Sequence, residues 1–205
     1  MDSLRKLEEL FAKFPGIGPR QARRFVYYLL NKSPSAIREF THLIDEVRKS
    51  AQECGQCHRI SISSAHSKSS GLCSVCSDPH RDQMTLMIVA RDSDFETVEK
   101  SGAYKGLYFI LGGTVPVLDK EPDKRIRLEK LLEHATHSSA IKEIILSLNA
   151  TSDGEHTGQI VKEALGKVIK NGAVKISILG RGLSTGAELE YVDGETIKNA
   201  LQNRH

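Results

Sequence analysis

All four cysteines of the chain fall in one stretch, as two Cys-x-x-Cys pairs: Cys54-Gly-Gln-Cys57 and, after fifteen intervening residues, Cys73-Ser-Val-Cys76. Two such pairs separated by roughly 15–20 residues are a zinc-site spacing. Each pair can turn two thiolates toward one point, so together they complete a tetrahedral shell of four thiolates. Two disulfides are the first alternative. They need an oxidising compartment, and Met1–Phe14 is charged and helical in pattern, without an apolar secretory segment. A dithiol redox motif is the second alternative, and it leaves the other pair unexplained. The expected cofactor is therefore one structural Zn2+ on Cys54, Cys57, Cys73 and Cys76. With no coordination position left for water, that ion would fold the chain rather than catalyse. Residues His58–Leu72 between the pairs are rich in Ser, His and Gly and read as a loop or short hairpin. With four thiolates at hand, His58 and His66 read as solvated loop histidines rather than ligands.

A chain of 205 residues can form one large domain or two small ones. It has no Trp and no apolar run long enough to cross a membrane, so a cytoplasmic protein without a membrane partner is expected. The net charge of +3 is unevenly placed: residues 1–53 carry +3 and residues 83–205 carry −1. Such a bias suggests different partners for the two halves, without proving nucleic-acid binding.

Leu4, Leu7, Leu10, Phe11 and Phe14 recur at helical spacing and predict a first helix over about residues 2–13. Pro15 ends it, and Pro19 is placed to open a second helix over about 19–31 that buries Ala22, Phe25, Val26 and Leu29. From Pro34 a third helix carries the narrow stripe Ile37, Phe40, Ile44, Val47, Ala51, suited to packing on another helix in this chain or in a second copy. Beyond the cysteines the pattern changes. Met84–Ala90, Leu107–Leu111, Glu143–Leu148 and Val174–Leu179 are short apolar runs, alternating with amphipathic stretches near 93–101, 123–135 and 156–170. That alternation predicts a parallel sheet covered by helices. A last helix over about 194–203 is expected to bury Ile197, Ala200 and Leu201. The expected class is α+β in several parts: helices at 1–53, a four-cysteine zinc finger at 54–79, an α/β domain at 80–180 and a C-terminal segment at 181–205.

Three stretches besides the cysteines bear on chemistry. Pro15-Gly16-Ile17-Gly18, between two helices, has the form of a helix-hairpin-helix whose backbone N–H groups can cradle a DNA phosphate. Arg20, Arg23 and Arg24 would add charge beside it, and contacts of that kind position DNA without reading its sequence. A plain helical corner with solvated arginines is the bland alternative. At the carboxyl ends of the expected strands, where open α/β folds place their sites, stand Asp92, Asp94, Asp153 and Glu155. Asp153 and Glu155 fit either Mg2+ ligation or the capping of a following helix. Gly180–Gly186 lacks the Lys-Ser/Thr of a P-loop and reads as a tight connection where two backbones approach, at a subunit contact.

The acidic arrangement resembles the Toprim domain of primases, topoisomerases and certain nucleases, whose catalytic members end the first strand on a glutamate. Ala90 stands there, so proton transfer by that route is missing and Mg2+ is doubtful. A Mg2+-dependent Toprim nuclease or primase-like enzyme is the alternative function. Nearly the whole chain resembles the bacterial recombination mediator RecR family. The resemblance rests on residues 10–25, the two cysteine pairs, Gly106–Gly113, Asn149–Thr157 and Leu189–Asp193, in that order. It implies a non-enzymatic protein of DNA repair that helps load RecA onto single-stranded DNA with RecO and RecF. It also implies ring-like assembly, from homodimer to homotetramer, through the amino-terminal helices and the carboxy-terminal segment. Carried across by position, Gly16, Ile17, Gly18, Arg20, Arg23 and Arg24 would face DNA. Asp94, Asp153 and Glu155 would form a partner surface, chiefly for RecO. Besides Ala90, the chain departs from the family at Phe109, where histidine is common, at Asp153, where glutamate is common, and at Ser184, where proline is expected.

Overall fold

The computed structural model describes residues 3–62, 71–119, 121, 124–169 and 174–204. His66 and residue 170, the expected end of one helix, lie outside them. The chain divides into two compact units after Ala51.

In the first unit, α1 (Ser3–Phe11), α2 (Pro19–Leu30) and α3 (Pro34–Ser50) follow the predicted order. Gly18 is the N-cap of α2 with Pro19 opening the first turn, and the Ser33 side chain caps α3 by accepting from the Ala36 N–H at 3.3 Å. Helix α1 packs on α2 through Phe11, whose ring meets Phe25 edge-on at 5.7 Å. Burial is scarcer than expected. Ala22 and Val26 are fully enclosed, but Leu29 is only half-buried and Phe25 is exposed, because Phe11 covers only one edge of its ring. The stripe on α3 has no buried member: Phe40, Ile44 and Val47 are each about half exposed. Ala51, the last residue of the expected stripe, is already in strand β1.

In the second unit β2 (Ile60–Ile62) pairs with β1 (Ala51–Glu53), the strand that follows α3, so the two flank the first cysteine pair; most of the segment His58–Leu72, expected as a loop or short hairpin, lies outside the described residues. Strands β3 (Asp82–Val89), β4 (Gly106–Ile110), β5 (Glu143–Ser147) and β6 (Lys175–Ile178) form one sheet in the order β4-β3-β5-β6. Every neighbouring pair in it is parallel. Continuous apolar runs suit such strands because both faces are covered. Side chains alternate across the sheet. Leu86, Ile88, Leu107 and Phe109 join α5 (Leu128–His137) and α6 (Ser152–Val168) through Leu131, Val161 and Leu165 on one face. Met87, Val89, Tyr108 and Ile110 turn the other way, onto Phe95 of α4 (Asp92–Ser101) and onto Cys54, Cys57, Cys73 and Val75. The cysteine pairs therefore share a core with the sheet, and the Ile110 N–H donates to the Cys57 carbonyl at 2.9 Å.

Two helices begin away from their expected starts. Helix α5 opens at Leu128, and α6 opens four residues early, at Ser152, because the Thr151 hydroxyl accepts from the Gly154 N–H at 3.2 Å. Helix α7 (Gly194–Gln202) is capped by Asp193. Of its three expected core residues, Ile197 and Ala200 are half-buried and Leu201 is exposed. Among the described residues no helix is long and apolar enough to cross a membrane.

Candidate functional site

The four cysteine Sγ atoms lie within 4.8 Å of one another, with Cys57 and Cys73 at 3.6 Å. Thiolates bound to a zinc at about 2.3 Å would stand roughly 3.8 Å apart, the edge of a tetrahedron. The donors are thus near coordination spacing, all four are unpaired as disulfides, and the set is compatible with a structural zinc. Cys54, Cys57 and Cys73 are buried and Cys76 half-buried. The Cys73 N–H donates to Cys54 Sγ at 3.3 Å, which holds the two pairs together. The Cys54 thiol is pushed down, chiefly by the hydrogen bond with Cys57, while the Cys76 thiol is pushed up, chiefly by Cys54. Four thiols in one volume cannot all ionise without a cation, and a cation at their centre would let them. Among the described residues this is the one set of three or more His, Cys, Asp or Glu side chains close enough to hold an ion.

His58 departs from the solvated loop histidine expected at its position. Its side chain is 11% exposed, Nδ1 meets Glu53 Oε1 at 2.6 Å, and the ring stands edge-on to Phe109 at 5.2 Å. His58 follows the first cysteine pair in a left-handed backbone conformation (φ 63°), with its ring against Phe109.

The hairpin between α1 and α2 is built as predicted. Gly16 has φ 75°, a conformation that strains any residue with a Cβ. Gly18 brings no side chain to cap α2, and Pro19 has no N–H. The first bond into the helix runs from the Ala22 N–H to the Gly18 carbonyl, leaving the Arg20 and Gln21 N–H groups at the positive end of α2 without an internal acceptor. Gly16, Gly18, Arg20, Arg23 and Arg24 are exposed, and Ile17 is half-buried as the hairpin's anchor. Arg23 pairs with Glu8 at 3.3 Å, and Arg24 donates to Gln21, while Arg20 makes no ion pair among the described residues.

The acidic residues do not converge. Asp94 Oδ2 accepts from the Arg91 N–H at 2.9 Å and closes the start of α4. Asp92 Oδ1 accepts from the Ile60 N–H at 2.8 Å, tying the hairpin to the same helix. Asp153 accepts from the Val117 N–H at 3.2 Å, beside buried Thr157, whose hydroxyl accepts from Val115 N–H at 2.8 Å. Glu155 is exposed and pairs with Arg181 at 2.7 Å. Neither Asp153 nor Glu155 is the cap of α6; Thr151 is, and the two carboxylates sit in the favourable first turn. Ala90 directly follows the first strand of the sheet, which ends at Val89, and is fully buried.

In the glycine-rich turn, a Cβ at Gly180, Gly182 or Gly186 would meet nothing within 4 Å among the described residues of the single chain. Only Gly186, at φ 84°, needs glycine for its own conformation. The turn is held by Arg181, through Glu155 and through its carbonyl, which accepts from Asn203 Nδ2 at 2.6 Å.

Three family models match the chain in order: a RecR helix-hairpin-helix over residues 4–48, a Toprim domain over 84–180 and a RecR C-terminal segment over 182–205. The recombination protein RecR of Ruegeria pomeroyi is 36% identical over 198 residues, covering 97% of this chain and 93% of its own. That of Porphyromonas gingivalis is 33% identical over 201 residues, covering 98% and 91%. That of Lactococcus lactis subsp. cremoris is 32% identical over 203 residues, covering 99% and 96%. With its helical hairpin, four-cysteine centre and parallel sheet in the same order and over nearly the whole length, the chain belongs to the RecR family of recombination proteins.

Proposed function

We propose that this protein is a non-enzymatic, DNA-binding mediator of recombinational repair. Residues 1–53 would meet DNA, a structural zinc on Cys54, Cys57, Cys73 and Cys76 would hold residues 54–79, and residues 80–180 would meet protein. The observation that carries the DNA reading is the hairpin at Gly16–Gly18. Its glycine geometry and missing side-chain cap leave N–H groups open at the positive end of α2, with exposed Arg20, Arg23 and Arg24 beside them. Such a site takes a phosphate without reading a base. The buried methyl group of Ala90 cannot exchange a proton, and the Asp92 carboxylate beside it is engaged by the Ile60 N–H. Both favour an adaptor over a Mg2+-dependent nuclease or primase-like enzyme.

The protein partners proposed are RecO and RecF, in loading RecA onto single strands. Of Asp94, Asp153 and Glu155, the first two spend carboxylate oxygens on backbone N–H groups, which makes Glu155 the accessible acidic contact. A further partner is the chain itself. The apolar stripe on α3 and the groove lined by Leu7, Leu10, Phe14, Leu30, Phe40 and Ile44, of about 840 Å3, are exposed in the single chain. A second copy's helix would cover them, giving a homodimer and, with residues 181–205, a homotetrameric ring.

Filter binding of single-stranded DNA across a salt series tests the DNA reading. Changing Arg20, Arg23 and Arg24 together to Ala is expected to weaken binding. It should also make the slope of log K against log salt shallower by about 2, at roughly 0.7 per lost phosphate contact. Unchanged affinity and slope would sink the hairpin as the DNA contact.

A further inference from the structure

Helix α2 carries an exposed aromatic ring among the arginines of its solvent face. Arg23 and Arg24 stand four and three positions before Tyr27, so the helical repeat sets all three on one face, with Arg20 a further turn toward the hairpin. That face is turned away from the enclosed Ala22 and Val26. Tyr27 is 52% exposed, and among the described residues its side chain makes no hydrogen bond and no ring contact.

Other exposed rings of this unit belong to its apolar surface. Phe14 and Phe40 line both of its apolar cavities, each of about 840 Å3, and Tyr28 lines one of them beside Phe25 and Ile37. Tyr27 lines neither. Leu30, one turn on, marks the border with that surface, while Asn31 donates Nδ2 to the Tyr27 carbonyl at 2.8 Å. The ring's neighbours on the side of the hairpin are cations.

An aromatic face bordered by cations suits one kind of occupant. Cations track the phosphates of a single strand, and the ring stacks on a base. In a duplex each base face is already covered by its stacked neighbours, so a side chain outside the helix cannot reach it. The spacing along α2 fits as well. Seven residues separate Arg20 from Tyr27, about 10 Å of helix, or about three nucleotides at the stacked rise of about 3.4 Å. A strand with one phosphate at the open Arg20 and Gln21 N–H groups therefore reaches the ring within a few nucleotides.

We propose that Tyr27 is a stacking platform for a base of single-stranded DNA whose phosphates are held by the hairpin and by Arg20, Arg23 and Arg24. The inference rests on the hairpin as the DNA contact and adds the form of DNA taken. A phosphate cradle accepts either form, whereas an open base face is offered only by the single strand. Every base has such a face, so the ring selects strand form and not sequence.

The test uses the full-length protein. The chain has no tryptophan, so Tyr27→Trp introduces a single indole that reports its own surroundings. Oligo(dT) is expected to quench its emission, and a duplex shown by filter binding to be bound should leave it unchanged. Tyr27→Ala should weaken oligo(dT) binding about tenfold, with affinity retained in Tyr27→Phe. Duplex affinity and the slope of log K against log salt should stay as in the wild type, because a neutral ring displaces no counterions. On an abasic oligonucleotide, wild type and Tyr27→Ala should bind alike. Emission unchanged by oligo(dT), in protein that filter binding shows to be loaded with it, overturns the platform and leaves the hairpin reading standing. Equal losses on single strand and duplex also overturn it. So does a Tyr27→Ala oligomer that dissociates in light scattering, which would assign the ring to a subunit contact. A wild type that binds no DNA removes both readings.

Discussion

At Gly154 a single hydrogen atom is the largest side chain the fold accepts. A Cβ there would overlap the Asn149 carbonyl oxygen, which lies against the residue's open side where the strand-end loop turns into α6. Gly154→Ala is expected to cost on the order of 1–3 kcal/mol in urea denaturation, as other overpacked sites do; a midpoint unchanged from wild type would show that the loop yields freely. The cysteines impose a different constraint. Cys54, Cys57 and Cys73 sit in the same apolar cluster as Met87, Val89, Phe95 and Tyr108. Cys73→Ser should therefore lose the metal ion and lower the melting temperature and the assembled fraction before it alters any DNA contact. Thermal melting together with zinc content checks this, and a folded, assembled variant that loses only DNA affinity would contradict it. These residues also mark how far a sequence can be read. The cysteine set is legible because its spacing encodes its geometry. The pairing of Glu53 with Lys130 of α5 and the ring contact of His58 with Phe109 are not, because those contacts join residues far apart along the chain.

At the scale of elements, α4 is fastened to the sheet by a polar clamp rather than by its apolar face alone. Arg81, just before β3, pairs with Glu99 of α4, which also accepts from the Tyr108 hydroxyl of β4 at 2.9 Å. Burial alone would raise the Glu99 carboxyl; the hydrogen bonds from Arg81 and Tyr108 outweigh it and leave it below the usual range. Between that lowered value and the unfolded value of about 4.3 the unfolded chain binds more protons, so stability rises with pH. The contribution is complete above about pH 4.3 and is lost as pH falls through the folded value. Denaturation midpoints measured from about pH 6 down to about pH 3 should show a shallower acid limb in Arg81→Gln than in wild type; identical limbs would remove the clamp from the account. The strands themselves were readable within two residues, because apolar runs in a parallel sheet leave little ambiguity. Helix starts were less so. Helix α6 begins where Thr151 finds the Gly154 N–H, a single hydrogen bond that an amphipathic pattern does not encode. Phe25 and Leu201 show the opposite limit: periodicity identifies an apolar face, yet not whether the same chain covers it.

For the whole molecule, that uncovered face is the argument for assembly. Leu10, Phe14, Phe40, Ile44 and Val47 in the first unit, and Leu189, Tyr191 and Leu201 near the carboxyl end, are each about half exposed or more in the single chain. Apolar surface of that extent is normally buried in a complex, and the two regions are those the RecR resemblance assigns to subunit contacts. Size-exclusion chromatography with multi-angle light scattering, with and without single-stranded DNA, tests the account most directly. The wild type is expected to elute as a homotetramer, or as a homodimer that becomes one, and to take up DNA in a fixed ratio; Ile44→Glu should shift it to a smaller species. A wild-type protein that remains monomeric at micromolar concentration, or an intact oligomer that takes up no DNA, would contradict the reading of this chain as a DNA-binding, ring-forming mediator.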